Sequence, residues 1–87
     1  MKKMTKKQVT ETYKGKWYGG KWGDIVTTIV FHEDFAILLS GRYNPNEAGY
    51  DIEAVIDRNT GENVIEGHSR PCDDKVDAID VALEMMA

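Results

Sequence analysis

Apolar residues are densest in the second quarter of the chain, where their pattern predicts two β-strands. The segments Ile25–His32 and Phe35–Ser40 are rich in β-branched and aliphatic residues, a composition favoured in strands. The polar residues His32-Glu33-Asp34 between them indicate a tight hairpin. Both faces of each segment are largely apolar, which is typical of a strand in the middle of a sheet with cover on each side.

A third strand is predicted at Tyr50–Asp57, where apolar and polar residues alternate. One face carries the apolar side chains of Tyr50, Ile52, Ala54 and Ile56. The opposite face carries Asp51, Glu53, Val55 and Asp57. The alternation predicts a half-buried strand with an acidic outer face. The turn residues 58–61 follow, and Glu62–His68 is predicted to return as the partner strand.

The end of the chain carries the spacing of an amphipathic helix. Its apolar residues Val76, Ile79, Leu83 and Met86 are spaced three, four and three apart, which places them on one face. Asp73 is a suitable N-cap, because its side chain can accept hydrogen bonds from the first helical N–H groups. The pattern predicts a helix over 73–86 that covers one face of the sheet.

Two interpretations of the first residues remain open. Thr5 can cap a short helix together with Gln8 three residues later, as in a capping box; alternatively, residues 1–10 form a flexible basic arm. The second face of the sheet also needs cover. That cover could come from Val9, Tyr13, Trp17 and Trp22, or from a second copy of the chain.

These elements together predict a single domain of the α+β class. It has an antiparallel sheet of about four strands, a C-terminal helix packed on one face and an optional short N-terminal helix. At 87 residues the chain has room for one small core. Its longest mostly apolar run, Ile25–Phe31, is too short to span a bilayer.

The N-terminal residues and the cysteine content favour a cytoplasmic location. Lys2 and Lys3 are not followed by the apolar stretch of a secretory signal. The single cysteine, Cys72, cannot form an intramolecular disulfide, which is weakly indicative of a reducing compartment. The expected location is cytoplasmic, and the host cytoplasm if the protein is encoded by a phage.

Charge is unevenly distributed along the chain. Residues 1–23 contain seven lysines and one acid, for a net charge of +6, whereas residues 24–87 contain fourteen acids and four basic residues, for a net charge of −10. The acids of the C-terminal helix form a row beside its apolar stripe, because they are spaced four, three and four apart. That row consists of Asp73, Asp77, Asp80 and Glu84.

The acidic row is the leading candidate site. Asp80 and Glu84 are the informative members, because like charges at i and i+4 and an acid in the last turn each slightly destabilise a helix. An acidic surface can dock on a basic protein, including a protein surface that normally holds nucleic acid. The second-choice contacts are Asp51, Glu53 and Asp57 of the predicted third strand. The opposing interpretation is a solvated helix face that keeps the protein soluble.

A basic and aromatic segment supports an alternative function. Lysines neutralise phosphates and exposed aromatic side chains stack on bases, so such a segment can contact single-stranded nucleic acid. Here the residues are Lys14, Lys16, Trp17, Lys21 and Trp22. The opposing interpretation is that both tryptophans pack in the core while the lysines are solvated.

Catalysis and metal binding find little support in the sequence. The group His68, Cys72, Asp73 and Asp74 has marginal spacing for a metal and lacks a paired CxxC or HxxxH motif. We therefore expect no enzyme activity, no metal and no cofactor.

Two resemblances bear on function. The segments Tyr50–Asp57, Glu62–His68 and Asp73–Leu83 resemble the hairpin and helix that end double-stranded RNA-binding domains. In that family a lysine cluster at the start of the helix binds phosphates, and those positions here are Asp73-Asp74-Lys75. The resemblance therefore implies the topology rather than RNA binding.

The short acidic chain with this strand–turn–strand–helix layout also resembles small phage-encoded accessory proteins, among them anti-CRISPR-type inhibitors. That resemblance implies a non-catalytic protein that binds and blocks a host machine that handles nucleic acid. The alternatives are the nucleic-acid-binding module and a structural subunit that forms homodimers or larger homo-oligomers.

Overall fold

The computed structural model describes residues 3–18, 25–41, 49–65 and 69–87. In chain order the elements are α1 (Lys6–Tyr13), β1 (Val26–His32), β2 (Phe35–Gly41), β3 (Tyr50–Asp57), β4 (Arg70–Cys72) and α2 (Lys75–Met86). The strands form an antiparallel sheet in the order β1-β2-β3-β4. The fold is α+β, as predicted.

The two central strands are β2 and β3, and both are buried on both faces along most of their length. The prediction for β2 is therefore confirmed, whereas the prediction that β1 lies mid-sheet is wrong. β1 flanks the sheet and is mostly half-buried. The acidic residues had made β3 resemble a strand with one solvated face, but its central position buries it.

Two β-bulges change which side chains share a face. The register of β1 against β2 shifts between Val26 and Thr28, and that of β3 against β2 shifts between Ile52 and Ala54. A bulge inserts one extra residue into a strand and so reverses the alternation beyond it. Uninterrupted alternation, as expected from the sequence, does not continue through either strand.

The sheet consequently separates two cores. On one face, Ile52 and Val55 lie together despite their odd spacing, and they belong with Ile37 and Leu39 to the core under α2. On the other face, α1 covers a second core. The buried members of that second core are Val9, Val26, Ala36, Leu38, Ala54 and Ile56.

The N-terminal helix is present with its predicted capping box. The Thr5 hydroxyl accepts a hydrogen bond from the Gln8 backbone N–H, and the Gln8 side chain accepts one from the Thr5 N–H. Val9 of α1 is fully buried against the sheet. Residues 6–10 are thus helical rather than a flexible arm, and the helix supplies the cover that the second sheet face required.

Tyr18, and not Trp17, continues this cover beyond α1. Tyr13 and Tyr18 pack against the α1-side core, with ring centroids 6.2 Å apart in an edge-on arrangement. Burial is the largest cause that raises the pKa of Tyr18, and Tyr13 adds to it. Trp17 is exposed, so of the two interpretations left open for it, core packing does not hold, and Trp22 lies outside the described residues.

Arg58 fastens the chain leading into α1 to the sheet. Its Nε donates to the Met4 carbonyl at 3.0 Å and its Nη1 donates to the Glu33 carbonyl at 3.3 Å. Its guanidinium also lies 5.5 Å from the centre of the Phe31 ring. The backbone N–H of Met4 donates to the Arg58 carbonyl at 2.8 Å. This largely buried arginine therefore joins the N-terminal segment, the β1–β2 turn and the end of β3.

The fourth strand lies later in the chain than predicted. Within 62–65 the return is limited to a bridge between Asn63 and Ile56 and backbone bonds at Glu62 and Val64. Residues 66–68 of the predicted strand lie outside the described residues. The strand β4 instead pairs with Tyr50–Ile52 and includes Pro71, which is tolerated at the edge of a sheet because proline cannot donate to the ladder.

The helix α2 is rotated relative to its predicted orientation. Its buried residues are Ala78 and Ala82, and Ile79, Val81, Met85 and Met86 pack around them. Of the predicted stripe, Ile79 and Met86 contact the core, but Val76 and Leu83 are exposed. Alanines on the inner face allow the helix axis to approach the sheet closely, and Val76 and Leu83 lie on the side that faces away from it.

In the ranges that the structure describes, neither helix is long and apolar enough to cross a bilayer.

Candidate interaction surfaces

The outer face of α2 combines exposed apolar side chains with negative charge. Val76 is 72% exposed and Leu83 is 44% exposed. Asp80 lies between them at i+4 from Val76 and is also exposed, so the three side chains project from one side of the helix. We call these three residues the outer α2 face.

The acids at the start of α2 have structural roles. The N-cap is Asp74, whose Oδ1 accepts a hydrogen bond from the Asp77 N–H at 2.7 Å. Asp77 in turn accepts one from the Asp73 N–H at 2.8 Å. The prediction of Asp73 as N-cap is therefore wrong by one residue. Asp77 is committed to this reciprocal arrangement, and negative charge here also favours the helix dipole.

The two acids farther along the row differ from each other. Glu84 forms an ion pair with Arg70 of β4, with 3.4 Å between Oε2 and Nη2. The described residues give Asp80 no hydrogen bond or ion pair. The ion pair with Arg70 thus accounts for Glu84, whereas no contact among the described residues explains the position of Asp80 in the helix.

The predicted acidic face of β3 is wrong. Glu53 is buried, and its Oε1 accepts a hydrogen bond from the Ser40 hydroxyl at 2.7 Å. Asp57 accepts a hydrogen bond from the Asn59 N–H at 2.8 Å, and Asp51 is half-buried with bonds of its own. Glu53 sits in the β3 bulge, which the alternation of the sequence does not reveal. These three acids do not form an outer surface.

A second apolar surface lies at the outer edge of β1. Trp17 is 67% exposed and forms a β-bridge with Ile25, which is 40% exposed. Backbone bonds from the Gly15 N–H to the Val26 carbonyl and from the Val26 N–H to the Lys16 carbonyl hold this segment against β1.

Lys14 and Lys16 precede the tryptophan and are exposed. We call Lys14, Lys16, Trp17 and Ile25 the Trp17 patch. Lys21 and Trp22, the remaining members of the predicted basic segment, lie outside the described residues.

Other candidate positions do not assemble into a site. A cavity of about 570 Å³ runs along α1 and is lined by Lys3, Met4, Thr5, Gln8, Glu11 and Thr12. Across the four described ranges, no three histidine, cysteine or acidic residues are arranged to hold a metal. Cys72 is buried, and His68, which the sequence grouped with it, is not among the described residues.

The outer α2 face was not predicted from the sequence, because the larger apolar residues of the helix were assigned to its buried face. Val76 and Leu83 were assigned to the core, whereas Ala78 and Ala82 are its buried residues. A signal was present: two alanines at i and i+4 also form a helix face, and small residues permit close helix packing. Spacing alone does not choose between the two faces.

Comparison of the chain with protein-family models, with curated proteins and with solved structures found no significant match in any of the three. The resemblances to double-stranded RNA-binding domains and to phage-encoded inhibitors therefore stay predictions.

Proposed function

We propose that this is a non-catalytic binding protein that docks the outer α2 face on a basic protein surface. The observation that carries the proposal is the exposure of Val76 and Leu83 on α2. The carboxylate of Asp80 lies on the same face of the helix. Large apolar side chains grouped on a surface mark interaction sites more often than scattered ones do.

The two kinds of side chain would contribute differently. Removing a valine and a leucine side chain from water is favourable by roughly 1.5–3 kcal/mol each when burial is complete. An exposed ion pair contributes only about 0–1 kcal/mol. Affinity would therefore depend mainly on Val76 and Leu83, while Asp80 and the neighbouring acids would steer the encounter and select a basic partner.

The surrounding charge supports a basic partner rather than nucleic acid at this face. Residues 69–87 carry five acids, namely Asp73, Asp74, Asp77, Asp80 and Glu84, against Arg70 and Lys75. A phosphate backbone would be repelled by this helix. A protein surface that normally holds nucleic acid has the opposite charge, so a host machine of that kind, blocked by a phage-encoded inhibitor, is the partner class that we propose.

The test uses the full chain as bait with host lysate, and mass spectrometry identifies the captured proteins. Three variants are compared: Val76→Ala with Leu83→Ala, Asp80→Lys alone, and Glu62→Lys as the control. Glu62→Lys changes the net charge by the same amount as Asp80→Lys. It serves as the control because Glu62 is exposed and lies outside α2.

We expect the wild type and the Glu62 variant to capture the same basic protein. The apolar double variant should lose it, and Asp80→Lys should weaken it at least several-fold. Asp77 is left unchanged, because its replacement would also disturb the helix start. Capture that is equal for all four proteins would refute the proposal, provided that circular dichroism shows them folded.

The exposure of Trp17 favours a second candidate function. An exposed tryptophan that follows two lysines can stack on a base while the lysines neutralise phosphates. Titration with single-stranded oligonucleotides would then quench tryptophan fluorescence, and the affinity would fall steeply with salt. Trp17→Ala should remove that binding. Unchanged fluorescence at low salt would eliminate this candidate.

A further inference from the structure

The chain carries two exposed apolar surfaces of opposite charge. The Trp17 patch presents a tryptophan and an isoleucine beside two lysines, and the outer α2 face presents a valine and a leucine beside an aspartate. Within the described part of the chain, Lys14 and Lys16 form no ion pair, and the same holds for Asp80. The two surfaces are therefore complementary, since both expose apolar side chains and their charges are opposite.

The two surfaces do not cover each other within one chain. Trp17 and Val76 are 67% and 72% exposed in the folded protein. Trp17 follows α1 and lies along β1, whereas α2 packs on the opposite sheet face from α1. Their contact requires a second molecule.

We propose that the occupant of the outer α2 face, when no other partner is present, is the Trp17 patch of a second copy of this chain. Trp17 would pack against Val76 and Leu83, and the lysines would lie beside Asp80. The inference rests on the proposed binding role of the outer α2 face and adds its occupant.

The contact is heterologous, because two different surfaces meet. Each pair would leave one unused copy of each surface, so association can continue into chains or close into rings. The few apolar side chains involved would bury much less surface than the roughly 800 Å² per partner that is typical of stable complexes. The association is therefore weak, with a dissociation constant on the order of 10⁻⁵ to 10⁻³ M.

Complementation between two variants gives the sharpest test. Trp17→Ala removes the patch and keeps the outer α2 face, whereas Val76→Ala with Leu83→Ala does the reverse. Sedimentation velocity would compare each protein alone and an equal mixture, from low micromolar to about millimolar concentration. We expect the wild type to form species beyond dimers, each variant alone to stay monomeric, and the mixture to stop at a one-to-one dimer.

Charge exchange gives a second readout. Lys14→Glu with Lys16→Glu should weaken association at least tenfold, and so should Asp80→Lys. Combining all three changes in one chain restores opposite charges and should recover most of the association at low salt. Glu62→Lys is the matched control and should leave sedimentation unchanged.

Several outcomes would overturn the inference. Wild-type protein that is monomeric throughout the range contradicts it, as does association that survives in both variants, which would place the interface elsewhere. A mixture that stays monomeric contradicts the heterologous contact. If the wild type is monomeric but the α2 variants still lose the basic partner, the inference fails while the proposed function stands. If the protein self-associates as expected but captures no basic protein, the proposed function fails while the self-association stands.

Discussion

The two helices cover opposite faces of one sheet by different means. α1 has little apolar surface of its own and buries Val9 with help from Tyr13 and from the preceding Met4. The chain leading into it is also held by the polar contacts of Arg58, while the capping box at Thr5 stabilises its first turn. α2 is richer in apolar residues, yet it packs through alanines and leaves Val76 and Leu83 in water.

The difference indicates where the protein has surface to use. Nearly every apolar residue of α1 is needed to cover the sheet, so this helix has none left for a partner. On α2 the small residues Ala78 and Ala82 face the core and two larger residues face outward. Exposing Val76 and Leu83 brings no benefit to the folded chain alone, since their burial would be favourable. A partner that covers them provides a reason for this arrangement.

Removing the polar attachment of the segment that leads into α1 should have the largest effect on stability. Arg58→Ala leaves the Met4 and Glu33 carbonyls without these donors and removes the guanidinium that lies near the Phe31 ring. We expect a loss of about 2–4 kcal/mol in the free energy of unfolding, because the bonds are charge-assisted and largely buried. Chemical denaturation measures the loss.

The control for Arg58 is Lys6→Ala. The Lys6 ammonium also lies over the Phe31 ring, at 5.4 Å from its centre, but Lys6 is exposed. Its removal should cost no more than about 1 kcal/mol. An equal loss for both variants would show that Arg58 acts through Phe31 alone and not through the two carbonyls.

On the α2 side, overpacking the inner face tests the orientation of the helix. Ala82→Leu adds volume where Ala82 is fully buried, and we expect it to destabilise the fold by about 1–3 kcal/mol. Val76→Ala on the outer face should change stability by no more than about 0.5 kcal/mol. Thermal or chemical unfolding distinguishes the two. The opposite ranking would mean that Val76 faces the core.

The smallest expected effect concerns the exposed ion pair that joins the N-terminal segment to the β1–β2 turn. The Lys3 ammonium lies 2.8 Å from Asp34 Oδ1. Its hydrogen bond, and then its charge, lower the pKa of Asp34 below the ordinary value. A lowered folded-state pKa stabilises the protein above the ordinary aspartate pKa of about 4, and this stability is lost as the pH falls through the folded-state pKa.

Lys3→Met should therefore raise the pKa of Asp34 toward its ordinary value, as followed by NMR titration of the carboxyl group. It should also slightly reduce the dependence of stability on pH below about 4. Lys7→Met is the matched control, because Lys7 pairs with Glu11 instead. An unchanged Asp34 titration in the Lys3 variant would contradict the assignment of this ion pair.

The sequence was informative where local signals decide structure. Thr5 and Gln8 predicted the start of α1, and the polar residues Glu33 and Asp34 marked the hairpin between β1 and β2. Periodicity located the strand at Tyr50–Asp57 and the helix near its observed bounds. Each of these features depends on neighbouring residues, whose propensities and hydrogen bonds can be recognised without the rest of the fold.

Predictions failed where packing between distant segments decides. The bulge at Glu53 depends on pairing with β2, and it brings Ile52 and Val55 to one face and buries an acid that alternation placed outside. The exposure of Trp17 follows from the position of Tyr18 over the α1-side core. For the candidate site, Asp80 was identified from its charge, but Val76 and Leu83 were assigned to the wrong side of α2.

The amino-acid sequence was enough to predict the class of fold, the capping box of α1, the hairpin and the separation of basic and acidic charge, because these depend on composition and on residues a few positions apart. The tertiary structure alone decided which face of each strand and helix is buried. That choice depends on the summed contacts of β2 with both of its neighbours and of Ala78 and Ala82 with the sheet. Those contacts placed Trp17 on one surface and Val76 and Leu83 on another, and so determined which residues of this chain are available to a partner.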